Sequence, residues 1–252
     1  MIPTKVKGEI VIVDIHTHIL PGVDDGADDY NEAYEMLRVA AHNGTTDIVL
    51  TPHFLADQMR CSGLGKAELQ KRFSEFKSAA QTAMPEVNLY FGAELFGVSN
   101  IEDVIEADEI ITINNSNYLL TEFDFEDNPN RALEITEALK GAGYKVIIAH
   151  PERYNFIQQN PRLIVPFLEN GASLQLNAQS VLGGNGYIAQ DVALSFLENN
   201  FAAVIASDSH SSAYRTPDLS EIYSFISSNF SPQYAEVLLE INPRAIIRGR
   251  RL

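Results

Sequence analysis

Short apolar runs alternate along this chain with longer stretches whose apolar residues recur every three or four positions. Runs at 10–15, 47–51, 89–93, 118–121, 146–149, 173–176 and 203–206 predict seven β-strands, each bounded by polar, Gly or Pro positions. After the first run, Asp28 or Asp29 supplies the cap of a helix reaching His42, with Ala33, Met36, Leu37 and Ala40 on one face and Gly44 as its stop. Asn128-Pro129 opens another helix, closed by Gly141 and Gly143, and Asn160-Pro161 opens one ending at Gly171. Strand and helix alternate without a linker rich in Pro, Gly or Ser. The expectation is an α/β fold of one domain, 1–252, whose parallel strands close into a barrel. Segments 62–66 and 183–186 read as loops, most simply connecting turns, although the second lies where it could border a site.

Composition narrows the class. A chain of 252 residues, 45% hydrophobic, buries a sizeable core. Its apolar runs fall short of the roughly 18 residues of a membrane span, and its N-terminus lacks a signal pattern, so the expectation is a cytoplasmic protein without membrane insertion. The lone Cys61 excludes an internal disulfide framework and a thiolate-rich zinc cluster. A formal charge of −16 argues against non-specific nucleic-acid binding, and any attraction for phosphate has to be local.

Candidate chemistry collects at strand ends. His16 and His18 follow the first strand and share a face if extended, as two ligands of one metal must. His53 follows the second strand, Glu94 the third, Glu122 the fourth, His150 the fifth, and Asp208 with His210 the seventh. In an α/β barrel these points share the C-terminal face, where catalytic residues gather. Singly, Glu94 serves equally as a solvated strand end, His53 as a turn residue and His150 as a polar cap. His42, before Asn43-Gly44, reads as a structural helix C-terminal residue. The sixth strand offers Gln175 and Asn177, suited to hydrogen bonding rather than to holding a cation. So many imidazoles and carboxylates exceed one tetrahedral metal and point to two or three divalent ions sharing carboxylates. Mn²⁺, Fe²⁺, Zn²⁺ and Mg²⁺ all suit such a site, and the residue types do not choose among them. Paired metals activate water against phosphate esters. Arg153, three residues past His150, and Arg215, five past His210, suit phosphate oxygens, although either could pair with a rim carboxylate. The segment from Arg60-Cys61 to Gly65-Lys66 is neither a cysteine-phosphatase loop nor a Walker loop, because Ala67 stands where each needs another residue.

The ordered set Asp14-Ile15-His16-Thr17-His18, Val23-Asp24-Asp25-Gly26, Thr51-Pro52-His53-Phe54, Gly92-Ala93-Glu94-Leu95, Glu122-Phe123, Ala149-His150-Pro151-Glu152-Arg153-Tyr154 and Ala206-Ser207-Asp208-Ser209-His210 resembles the polymerase-and-histidinol-phosphatase (PHP) superfamily. It is most similar to that superfamily's bacterial protein tyrosine phosphatases of capsule and exopolysaccharide loci. The resemblance implies a distorted seven-stranded, TIM-like (β/α)7 barrel with a trinuclear site. It implies His16, His18, Glu94 and Asp208 on one metal, Glu94, Glu122 and His150 on a second, and Asp25, His53 and His210 on a third. Arg153 and Arg215 would bind phosphate, and Asp25 or His210 would assist catalysis, while Asp24 is most simply a turn residue. Residues 1–9 precede the first metal strand, an addition relative to many members that suggests an edge segment or oligomer contact. Homo-oligomers occur in the family.

The implied function is hydrolysis of phosphotyrosine by a metal-activated hydroxide, with a tyrosine autokinase of polysaccharide export as substrate. Two alternatives stand beside it: a small-molecule phosphomonoesterase such as histidinol phosphatase, and a metal-stabilised scaffold that binds a phosphoprotein without turnover.

Overall fold

The computed structural model describes residues 11–55 and 60–252. The first position of the expected opening strand and the segment before it lie outside the described residues. Nine strands are present among those described: β1 (Ile12–Thr17), β2 (Thr45–Leu50), β3 (His53–Phe54), β4 (Asn88–Phe91), β5 (Glu94–Phe96), β6 (Tyr118–Glu122), β7 (Lys145–Ala149), β8 (Ser173–Asn177) and β9 (Ala202–Ala206). They form parallel sheets ordered β1-β2-β4 and β3-β5-β6-β7-β8-β9.

This departs from seven continuous strands, and the reason is local. The second run breaks at Thr51-Pro52, where Pro lacks the N–H a ladder needs, and the third breaks at Gly92-Ala93. A Cβ on Gly92 would stand 3.0 Å from Val49 Cγ1 and 3.2 Å from Thr51 Cγ2, so a side chain there would crowd the neighbouring strand. Hydrogen bonds still cross both breaks, from Gly92 N to Leu50 O at 2.9 Å and from Glu94 N to Pro52 O at 3.1 Å. Beyond β9, Asp208 N donates to His16 O and His18 N to Ser209 O, both at 2.9 Å, and Thr17 bridges Ser209.

The helices form where capping chemistry allows. Asp29 accepts from Asn31 N and Glu32 N at the start of the helix Tyr30–His42, burying the expected Ala33, Met36, Leu37 and Ala40. Asn128 caps Pro129–Gly141 in the same way. The expected helix after Asn160 divides into a 3₁₀ turn, Pro161–Ile164, and a short helix, Val165–Glu169 with Pro166 in its first turn. Lys66–Ala83 is a helix that the pattern reading did not anticipate, packing Leu69, Phe73, Phe76 and Ala80 inward. Segment 183–186 links the helices Ala178–Val181 and Tyr187–Glu198, with Asn185 Nδ2 donating to Ser180 Oγ. Among the described residues no helix is long and apolar enough to cross a membrane.

Two apolar groups hold the strands. The larger lies between sheets and helices, and the smaller joins Val13, Ile15, Leu120, Ile147, Ala149, Val204 and Ala206 on the opposite faces. Along β6 the next side chain on that inner face after Leu120 is Glu122, and beyond β9 the next after Ala206 is Asp208. In β1 a register irregularity between Asp14 and Thr17 shifts the inward face from Val13 and Ile15 to His16 and His18. The strand ends therefore carry polar ligands directly above an apolar floor.

Candidate active site

His16, His18, His53, Glu94, Glu122, His150, Asp208 and His210 converge at these strand ends, with Asp25 at the rim. Glu94 is central. Its Oε1 lies 3.3 Å from His16 Nε2 and 3.0 Å from His150 Nε2, and its Oε2 lies 3.5 Å from His18 Nε2 and 2.8 Å from His53 Nδ1. Three groups bring ligand atoms within 4.8 Å of one another: His16, His18 and Glu94; His53, Glu94 and Glu122; and His18, Asp25, His53 and His210. Three details differ from the implied sets. Asp208 stands outside the tight group of His16, His18 and Glu94. His53, rather than His150, joins the tight group at Glu122, with His150 Nε2 3.8 Å from Glu122 Oε1, and His18 faces the outer group as well as the inner one.

The donor set fits divalent cations. His16 Nδ1 is 2.8 Å from Gln175 Oε1, and His18 Nδ1 is 2.7 Å from Asp24 Oδ2. Each oxygen accepts a hydrogen bond from its Nδ1–H, which leaves both Nε2 atoms as bare lone pairs, and these stand only 3.2 Å apart. Asp208 Oδ1 faces them at 3.5 and 3.4 Å. His53 Nδ1 and Glu94 Oε2 are close, but off hydrogen-bond geometry, and both are buried without a hydrogen-bond partner among the described residues. Converging acceptors in a dry site repel one another until a cation lies between them. Without one, protons are recruited. Burial opposes charge on His16, but Glu94 and Asp208 outweigh it and raise its pKa; His18 is raised further by Asp24 against the same burial. His150 goes the other way, lowered to about 4 mainly by burial, so it stands neutral as a ligand must.

Asp208 connects this cluster to the arginines. Oδ1 faces His16 and His18, whereas Oδ2 accepts from Asn177 Nδ2 at 2.7 Å and Arg153 Nη1 at 3.3 Å and pairs with Arg215 Nη2 at 2.6 Å. Burial would raise the carboxyl pKa, but His16 and then Arg215 hold it well below the usual range. His150, Asp208 and Arg215 have φ of +32°, +51° and +46°, a left-handed conformation disfavoured for residues with side chains. Three of the eight non-glycine residues with positive φ among those described therefore belong to the cluster and its arginines.

Several contributors were not apparent from sequence. Asp24, read as a turn residue, is instead a buried partner: Oδ2 accepts from His18 Nδ1 and His53 N, and Oδ1 from Gly26 N. Gly26 packs so closely that a Cβ would lie 2.0 Å from His18 O. Arg60 donates Nη1 to both oxygens of Glu122, at 3.0 and 2.8 Å, and lies 4.9 Å from the centre of the Phe96 ring. Burial and then Glu94 push the Glu122 pKa well up, and Arg60 opposes them. The fully buried Glu152 accepts from Asn177 N, fixing the strand end that carries Asn177. His42 lies in the last turn of its helix, away from the cluster.

A parallel α/β scaffold carrying buried imidazole–carboxylate clusters, with two arginines on a shared carboxylate, defines a metal-dependent hydrolase. Residues 12–248 match the family described as capsular polysaccharide synthesis, CpsB/CapC, and the chain belongs to it. Among its relatives, CapC of Staphylococcus aureus is 37% identical over 212 residues, covering 84% of this chain and 82% of CapC. The tyrosine-protein phosphatase YwqE of Bacillus subtilis is 29% identical, covering 96% of this chain and 93% of YwqE. A crystal structure from work on YwqE and on CpsB of Streptococcus pneumoniae, described as metal-dependent tyrosine phosphatases, matches with a TM-score of 0.88 at 27% identity, covering 96% of both chains.

Proposed function

We propose that this chain is a metal-dependent protein tyrosine phosphatase, with two or three divalent ions, Mn²⁺ foremost, at the strand ends of a single seven-stranded barrel domain spanning 1–252. The barrel reading is supported by the hydrogen bonds that carry β2–β3 and β4–β5 past their breaks and by the bridge from Thr17 in the first strand to Ser209, just past the last strand. His16, His18 and Glu94 with Asp208 would hold one cation, Glu94, Glu122 and His150 with His53 a second, and Asp25, His53 and His210 with His18 a third. Cations held there supply a lowered water pKa and charge neutralisation for phosphoryl transfer.

The observation that carries this reading is the division of Asp208, one oxygen toward the imidazoles and the other toward both guanidinium groups. Those guanidinium edges would bind phosphate beside the residues that would hold the cations, because both meet on Asp208. Arg153 and Arg215 orient it and stabilise the charge that spreads over its oxygens. Gln175 and Asp24 keep His16 and His18 in the tautomer with Nε2 bare. Asp25 and His210 meet at the solvent edge, Oδ1 3.3 Å from Nε2, and are the residues from which any help to the leaving oxygen would come. A tyrosine leaving group asks little of them, its unperturbed pKa being about 10. The substrate we assign is a tyrosine autokinase of capsule or exopolysaccharide synthesis, met in the cytoplasm. The family's description supports the capsule context, and the names of its curated relatives support phosphotyrosine as the group removed.

Steady-state phosphate release from a phosphotyrosine peptide and from histidinol phosphate, with and without Mn²⁺, tests the reading. Metal-dependent turnover favouring the peptide is expected, with Arg153→Ala lowering kcat/KM about 100-fold while metal is retained. Absence of peptide turnover, or preference for histidinol phosphate, overturns it.

A further inference from the structure

Phe125 has no part in holding cations or phosphate, yet it sits against the residues that do. It lies three residues past Glu122 in the loop after β6, half-buried, and its carbonyl accepts from Asn155 N at 2.9 Å, which ties that loop to the segment carrying His150 and Arg153. Its ring centre is 4.6 Å from Arg153 Cζ. It also stands 6.0 Å from the His150 ring, nearly edge-on at 71°. A guanidinium covered on its face keeps its in-plane N–H donors, and Arg153 Nη1 indeed reaches Asp208. Ring and phosphate therefore use different parts of Arg153, the face and the edge. The Phe125 ring thus stands beside any ester held at that edge, 4.6 Å from the guanidinium carbon.

The neighbouring aromatic residues are occupied differently. Tyr154 is buried, its hydroxyl donating to Ala149 O at 2.8 Å and accepting from Phe123 N at 3.1 Å, so it is committed to the scaffold. Phe96 is covered by Arg60, whose guanidinium is engaged by Glu122 rather than by Asp208. Among the described residues, Phe125 is partly exposed and its ring is stacked on a phosphate-site arginine.

Resting on the phosphotyrosine reading, we infer that Phe125 is a specificity-determining residue, whose ring packs against the phenyl ring of the substrate while Arg153 and Arg215 hold the phosphate. Aromatic rings attract at centroid separations of about 4.5–7 Å in edge-to-face or offset geometry. A phosphoserine side chain has no ring to place there, so the contact discriminates between aryl and alkyl phosphoesters before any chemistry occurs.

The test is calorimetric titration of the Mn²⁺-loaded protein with phenylphosphonate and methylphosphonate, neither of which carries an ester to hydrolyse. Phe125→Leu is expected to weaken phenylphosphonate binding about three- to tenfold and leave methylphosphonate within about twofold, while Phe125→Tyr keeps wild-type selectivity. If Phe125→Leu weakens both ligands in proportion, the ring only supports Arg153 and the inference is overturned. It is equally overturned if neither affinity moves. The parent reading is judged separately by turnover of phosphotyrosine peptide by wild type. Aryl selectivity that depends on Phe125 in a protein without such turnover would retain the ring contact and remove the protein substrate.

Discussion

Asp208 shows how much one side chain can coordinate: its two oxygens face different chemistry, bare imidazole nitrogens on one side and guanidinium N–H groups on the other. Asp24 acts one step further out, holding the proton on His18 Nδ1 so that Nε2 points bare into the cluster. Asp24→Ala is expected to lower metal affinity about 10- to 100-fold, measured by competition with a chelating dye. Unchanged affinity would show that the His18 tautomer is set elsewhere. The ligand-type residues were legible because His, Asp and Glu recurred at strand ends. The role of Asp24 was not, since an acid before Asp25-Gly26 has the same local pattern whether it closes a turn or reaches a histidine. Arg60 was hidden for a related reason: its partner Glu122 is distant in sequence, and only the fold brings the two together.

At the scale of elements, the loop after β9 is held by a helix from the start of the chain. Ser211 Oγ accepts from Ala213 N and Tyr214 N, Arg215 O accepts from His210 N, and Glu32 accepts from Ser212 N at 2.6 Å and from Ser212 Oγ at 3.3 Å. Glu32 sits in the first turn of its helix, where a glutamate often folds back on the cap; here both oxygens go to the loop that carries Arg215. Glu32→Ala is therefore expected to raise KM for a phosphotyrosine peptide about three- to tenfold, with metal content unchanged and Glu32→Gln largely restoring it. An unchanged KM would show that the loop is fixed without Glu32. The strand runs were legible from apolar pattern, and the first helix from its cap and stop. The breaks at Pro52 and Gly92 were not, because a parallel strand and an interrupted one have the same apolar composition. The helix Lys66–Ala83 was obscured by the glycines that lead into it, although its buried positions follow helical spacing.

At the scale of the molecule, a chain of net charge −16 places Arg60, Arg153 and Arg215 at one end of its parallel strands, against carboxylates that also face imidazoles. The overall acidity says nothing of this local arrangement, and long-range packing creates it. Hydrolysis is expected to depend on cations held by the imidazole–carboxylate cluster. That dependence is tested most directly by measuring metal content and phosphate release on the same preparations of wild type and His16→Ala, before chelation, after chelation and after Mn²⁺ is restored. The account predicts two or three metal equivalents and phosphotyrosine turnover in wild type, loss of both on chelation with recovery on Mn²⁺, and depressed occupancy and rate together in His16→Ala. Full turnover by chelated wild type, or by His16→Ala at undiminished rate, would contradict it.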